Sequence, residues 1–214
     1  MMYKQFTLAT IALLQLALAS GAHAEGPEYG PSNGTLVIIG GGTLRNTGII
    51  ERFIELAGGP TKKFIIVPTA RGNRNPDGTV RKYSTAEILG PWLKFGLRNT
   101  RMLHTHDPKI ADTEEFVREL RDADAVWFDG GRQWNLVDSY ANTRTLVEFR
   151  KLLERGAVIA GTSAGATILG EYLVRGDTSG PMVMMTQESN HQQGFSLLRG
   201  TAMHAGQKRD RSAQ

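Results

Sequence analysis

The chain has 214 residues, 25 Lys and Arg against 21 Asp and Glu, and no cysteine. The length suits one ordinary globular domain, and the missing cysteine excludes a disulfide framework, a thiolate metal site and a cysteine nucleophile. A net charge of +4, dispersed until a KRDR run at Lys208 to Arg211, does not favour nucleic acid as a partner.

In chain order the first feature is a targeting signal. Lys4 precedes the apolar run FTLATIALLQLALA, which ends in small residues and the cleavage pattern Ala22-His23-Ala24. The run is too short to span a membrane, so residues 1–24 are expected to be removed and residues 25–214 to form a single exported domain, periplasmic or extracellular, with no membrane association after cleavage.

From there strand-like and helix-like segments alternate. Thr35 to Ile39 reads as a strand, the turn Gly40-Gly41-Gly42-Thr43 follows, and Ile49, Ile50, Phe53, Ile54 and Ala57 recur at helical spacing. Phe64 to Val67 is a second strand, ending at Pro68-Thr69-Ala70 and a polar loop. A helix is expected near Thr85 to Phe95, a strand at Thr100 to Leu103, and an amphipathic helix at Thr113 to Leu120 opened by Asp112. Ala125 to Phe128 gives a fourth strand and the turn Gly130-Gly131; Thr143 to Arg155 gives a helix with Leu146, Phe149, Leu152 and Leu153 inward; Ala157 to Ala160 gives a fifth strand running into Gly161. Five such units predict the α/β class: an open, mostly parallel sheet with helices on both faces, its ligands bound outside the carboxyl ends of the strands.

The loop after the fifth strand carries the strongest chemical signal. Gly161-Thr162-Ser163-Ala164-Gly165 has the form G-x-S-x-G between a strand and a helix, the setting of a nucleophile elbow. A serine there needs a sharp turn that exposes its oxygen, and small neighbours permit that turn and the close approach of the helix. The alternative is a glycine-rich turn whose serine only caps the helix. A serine nucleophile also needs an oxyanion hole, and the backbone N–H groups of Ala164 and Gly131 fit those posts.

The segments GGGT, IIVPTA, ADAVWFDGGRQ and GTSAGATILG together resemble the cyanophycinase and dipeptidase E group of serine peptidases, over roughly residues 34 to 200. The resemblance implies a class I glutamine amidotransferase-like, flavodoxin-like fold. It implies hydrolysis of cyanophycin or related β-aspartyl peptides without a cofactor, and a peptide or cyanophycin-like polymer as partner. Ser163 matches the nucleophile, Gly131 and Ala164 the oxyanion hole, and Gln133 a substrate-contacting glutamine. Two departures stand out. The family commonly has an acidic residue before that glutamine, where this chain has Arg132. The family's D-Q-H, whose histidine is the general base, is replaced by TAMHAGQKRDR; the expected position falls near Ala205 or Gly206, and His204 is the nearby imidazole. A shift of one residue along a strand turns a side chain to the other face, and a shift of two moves it by about 6–7 Å. The expectation is therefore a chain truncated at its C-terminus, with His204 as the base on offer and the triad acid not found.

The other histidines have lesser readings. His104 and His106, two apart at a strand end, form a minimal metal pair without an evident third ligand, so no metal centre is expected. His191 sits in the polar stretch QESNHQQ, read as a surface loop. Dinucleotide binding at Gly40-Gly41-Gly42 is disfavoured by Arg45 and by Pro68-Thr69 where that motif wants a glycine and an acid. A non-catalytic binding protein on the same fold is the remaining alternative.

Overall fold

A computed structural model describes residues 29–180 and 182–204. The segment expected to be an export signal, the KRDR run and positions 205 and 206 lie outside the described residues. The strands are β1 (Thr35–Ile39), β2 (Phe64–Val67), β3 (Thr100–Met102), β4 (Ala125–Phe128) and β5 (Val158–Thr162); the apolar runs of β2, β4 and β5 are buried on both faces, while β1 and β3 are partly exposed. Among the described residues they make one sheet in the order β1-β5-β4-β2-β3, with every neighbouring pair parallel. The open parallel sheet expected from the sequence is therefore present.

Strand register sorts the side chains into two layers. Leu36, Ile159, Val126 and Ile65 lie abreast, and the next row is Val37, Ala160, Trp127 and Ile66. The first row packs against α5 (Trp134–Tyr140) and α6 (Arg144–Glu154) through residues such as Leu136, Tyr140, Phe149 and Leu152. The second packs against α1 (Ile49–Leu56) and α2 (Thr85–Leu93) through Phe53, Ile54, Ile88 and Trp92. Phe53 sets the second layer, its ring edge-to-face with Phe64 at 5.6 Å and Trp127 at 5.3 Å. Each such buried side chain contributes about 1.5–3 kcal/mol. The helices thus cover both faces.

The chain leaves β2 toward β3 and leaves β4 toward β5, in opposite directions from adjacent strands. That reversal opens a crevice at their carboxyl ends, where ligands bind in open α/β sheets. Beyond β5 come one helical turn, α7 (Ala164–Thr167), and a two-stranded parallel ribbon of β6 (Gly170–Tyr172) and β7 (Leu198–Ala202), which returns the chain to the same end of the sheet.

Three local departures from the sequence reading have physical reasons. The helix expected over Thr113 to Leu120 is a short α4 (Glu114–Val117) running into a 3₁₀ turn at Arg118–Leu120, and a separate turn of helix, α3 (Pro108–Ala111), precedes it. Thr113, not Asp112, caps α4 by accepting from Phe116 N at 3.2 Å, while Asp112 accepts from Arg144 N at 2.8 Å and so caps α6 across the fold. Helix α5 gives little signal, because Asn135 and Ser139 are buried beside Leu136 and Val137 and blur its apolar stripe.

Candidate active site

At the end of β5 the backbone turns sharply. Ser163 adopts φ 52° and ψ −117°, a region that L-residues avoid and that persists only when the surroundings enforce it. They do so here through backbone bonds: Ser163 N–H donates to Ile39 O at 3.0 Å, and the Ser163 carbonyl accepts from Ala166 N and Thr167 N, both at 3.0 Å. The flanking glycines have steric causes. A Cβ on Gly161 would fall 2.0 Å from Gly165 O, and one on Gly165 would fall 2.3 Å from Phe128 O. Strand, turn and α7 are packed backbone against backbone, which leaves no room for a methyl group.

The loop after β4 leans on this elbow. A Cβ on Gly130 would lie 3.1 Å from Ser163 Cβ, and Gly131, with φ 147°, comes so close to the loop after β2 that its Cβ would lie 2.0 Å from Ala70 O. Arg132 N–H donates to that same carbonyl at 2.7 Å. Asp129 anchors the loop from below, paired with Arg71 at 2.7 Å and accepting from Trp127 Nε1 at 3.1 Å. Burial pushes the Asp129 carboxyl up, and the Arg71 guanidinium and the indole N–H work against that rise. Among the described residues the N–H groups of Gly131 and Ala164 have no acceptor. Ala164 is buried, and buried N–H groups are nearly always paired, so its free N–H, beside the strained serine and next to that of the exposed Gly131, marks a place for an incoming oxygen.

Ser163, His204, Gly131, Ala164 and Gln133 all line one cavity of about 110 Å3. The structure thus brings together every site residue expected from the sequence. Cavities of about 380 and 400 Å3 lie at the other end of the sheet, around Leu153 and Glu154 and around Asp124 and Val158, away from the strand-end loops. Gln133, the substrate-contacting residue implied by the resemblance, lines the cavity and spends its donors on the protein. It is buried, and its Nε2 donates to Val174 O at 2.6 Å and Arg175 O at 2.7 Å, so its two donors hold the opposite wall and leave only Oε1 for a ligand. His204 is exposed, two residues past β7, and among the described residues no hydrogen bond joins it to Ser163 Oγ. Arg132 and Arg175 complete the charged lining, with no carboxylate among the lining residues.

The remaining histidines occupy specific places. Thr69 Oγ1 lies 2.9 Å from His104 Nδ1 and 2.7 Å from Tyr140 OH, which ties the loop after β2 to α5. The His104 and His106 rings touch edge to face at 4.4 Å. Burial lowers the pKa of both, and the neighbouring His106 helps bring His104 to about 4. His191 corrects the surface-loop reading: it is 4% exposed, with Nδ1 at 2.6 Å from Glu188 Oε2 and Nε2 at 2.7 Å from Asp138 Oδ1 of α5. Burial alone would lower its pKa; the two carboxylates overcome that and raise it. Asp129 could have been flagged as an acid closing a buried strand. Arg175 and the carboxylates around His191 give no local signal.

Comparison with known proteins places this geometry. The model of Peptidase family S51 matches residues 36–211. The cyanophycinase of Geminocystis herdmanii is 26% identical over 149 residues, covering 68% of this chain and 52% of the relative. The cyanophycinase of Synechococcus elongatus is 28% identical over 150 residues, covering 69% and 44%. The chain thus spans about half the length of the curated relatives it matches. The crystal structure of a peptidase from an acI-B1 Actinobacterium superposes with a TM-score of 0.54 at 26% identity, covering 77% of this chain and 65% of that one.

Proposed function

Because the chain belongs to peptidase family S51, we propose that it is a serine-type hydrolase that cuts cyanophycin or related β-aspartyl and aspartyl peptides, acting outside the cytoplasm after removal of residues 1–24. Ser163 Oγ attacks the scissile carbonyl, and the N–H groups of Gly131 and Ala164 receive the negative charge that develops on its oxygen. His204 takes the serine proton and returns it to the leaving amine; water then releases the acyl group. No cofactor enters this sequence. The reading rests on one observation above the rest: a strained serine shares a cavity with two backbone donors that, among the described residues, lack acceptors. The similarity to cyanophycinases supports the choice of substrate class.

A second reading, a binding protein on the same fold, is favoured by the missing hydrogen bond between Ser163 and His204 and by the exposure of His204. A serine without an engaged base is a poor nucleophile, and backbone donors plus binding leave only about 10³–10⁴ over water. Labelling with a fluorophosphonate probe separates the two. The peptidase reading expects modification at Ser163, its loss in Ser163→Ala, and turnover of cyanophycin or a β-aspartyl dipeptide that falls in His204→Ala. An unlabelled chain that still binds these peptides would leave the second reading standing.

A further inference from the structure

We propose that His191 is a positioning residue for the cavity at Ser163: its imidazolium, bridged between Asp138 and Glu188, holds the wall formed by Val174 and Arg175 in place, and that wall comes loose when the ring gives up one proton. The consequence for turnover rests on the hydrolase reading above; the bridge itself does not. Its basis is a count of protons. The ring is 4% exposed, with Nδ1 at 2.6 Å from Glu188 Oε2 and Nε2 at 2.7 Å from Asp138 Oδ1. An ionised carboxylate only accepts, and a neutral imidazole has a single N–H to donate, so two such contacts need a ring that carries both protons. The acids keep their charge, because the side chains of Asp138 and Glu188 are 44% and 35% exposed, and Thr178 together with His191 holds the Glu188 carboxyl below its ordinary value. Burial works against a charged ring, but the bonds to Asp138 and Glu188 outweigh it and raise the pKa of His191. A third charged group acting on the ring is Asp177, whose Oδ2 accepts from Thr186 Oγ1 at 3.1 Å, and it too is anionic.

The bridge is tied to the cavity at both of its ends. Asp138 lies on α5, the helix that starts beside Gln133, and Gln133 Nε2 donates to Val174 O at 2.6 Å and Arg175 O at 2.7 Å. On the loop side a Cβ on Gly176 would fall 2.3 Å from His191 O, so the residue after Arg175 lies backbone to backbone against His191. Leu173 N–H donates to Gln192 O at 2.9 Å, Gln192 Nε2 donates to Thr186 O at 3.0 Å, and Glu188 Oε1 accepts from Thr178 Oγ1 at 2.6 Å. Residues 173–192 thus form a closed loop whose stem is fastened to α5 at two points, Gln133 and His191. Val174 and Arg175 of that stem line the cavity with Ser163. When the ring loses a proton, one N–H bond becomes a nitrogen lone pair set against a carboxylate oxygen at bonding distance, and ring and acid must part. The elbow on the other side is held by backbone bonds and has no part in this titration.

The test follows the His191 ring nitrogens of the full chain by NMR across a pH series, beside the exchange protection of the Leu173 and Arg175 amides. Both nitrogens should carry hydrogen near neutral pH, and protection at the two amides should fall about tenfold as the ring loses a proton, with the same midpoint, while the elbow amides show no such step. Asp138→Asn is the decisive variant. Its amide can donate to the bare Nε2 of a neutral ring and, turned over, accept from a protonated one, so the wall should stay shut and lose its pH dependence. His191→Ala should show at every pH the weak protection that the unsubstituted chain reaches only on the alkaline side. With a β-aspartyl dipeptide as substrate, the ratio of KM between the unsubstituted chain and Asp138→Asn should rise several-fold through that midpoint, whereas a fluorophosphonate labels Ser163 equally fast in both. A ring with a single N–H near neutral pH, amide protection that does not follow the ring, or an Asp138→Asn chain that titrates like the unsubstituted one would overturn the proposal. A flat KM ratio while the wall titrates would overturn the positioning role. Absence of turnover at every pH, with the ring and amide titrations as expected, would count against the hydrolase reading alone.

Discussion

The two walls of the cavity are built by different means. On the side of Ser163 and Gly131, backbone meets backbone: the elbow is clamped by Ile39 O, by the close approach of Gly161 to Gly165, and by Gly131 against Ala70. On the side of Val174 and Arg175, long side chains hold a loop in place, with Gln133 reaching two carbonyls and His191 bridging Asp138 and Glu188. A wall made of main chain is insensitive to ionisation and intolerant of added atoms. A wall made of side-chain bonds tolerates added atoms and responds to pH. The serine that must stand still sits on the first wall.

The contrast is sharpest when one carbon is added to the first wall. Gly161→Ala puts a methyl group 2.0 Å from a carbonyl oxygen that cannot move without α7, so a loss of about 3 kcal/mol or more in denaturant unfolding is expected, together with loss of probe labelling at Ser163. A substitution tolerated there would mean that the elbow is not clamped. On the second wall Gln133→Leu leaves the carbonyls of Val174 and Arg175 without their donor. The expected loss is about 1–3 kcal/mol, with Ser163 labelling retained.

His191→Ala should cost less, about 1–2 kcal/mol, since Asp138 and Glu188 are exposed enough to be rehydrated. Its signature is faster amide exchange over residues 174–192 than in the elbow. Equal protection of both segments would erase the contrast.

A pH series gives the smallest effects and divides the histidines by sign. The folded pKa of His191 lies above its unfolded value, so its contribution is present below about 6.5 and is lost as pH rises through the folded pKa; the loop should loosen on the alkaline side. His104, with a folded pKa of about 4, behaves oppositely: its neutral form suits the fold above about 6.5, and stability is lost as pH falls toward 4. Imidazole titrations by NMR, compared with amide exchange at each pH, would show whether the two shifts run in these directions.

The same division explains how much the sequence reveals. FIIV and AVWF read directly as strands because a parallel strand buried on both faces has no polar alternation to hide it, and the elbow reads directly because steric demand restricts its residues to Gly, Ser and Ala. The backbone-built wall is therefore legible from local patterns. The side-chain wall is not: Gln133 meets Val174 and Arg175 more than 40 residues away, and Asp138 meets His191 at a separation of 53, so only the fold shows that QESNHQQ contains a buried bridge. Helix α5 is obscured for a related reason, because its buried Ser139 bonds to Asn135 O and looks polar in sequence.

The pairing of β1 with β5 also bears on how the molecule comes into being. Thr162 Oγ1 reaches Gly40 O across 122 residues, and Ser163 leans on Ile39. At about 5–20 residues per second of synthesis, β1 waits about 6–25 s for the strand that covers it, with the apolar segment TLVII unpaired on that flank. Contacts this distant in sequence close late because the loop entropy is lost before the contact forms. The elbow's bond to β1 thus closes late, and a newly made chain acquires its strained serine only when its first and fifth strands meet.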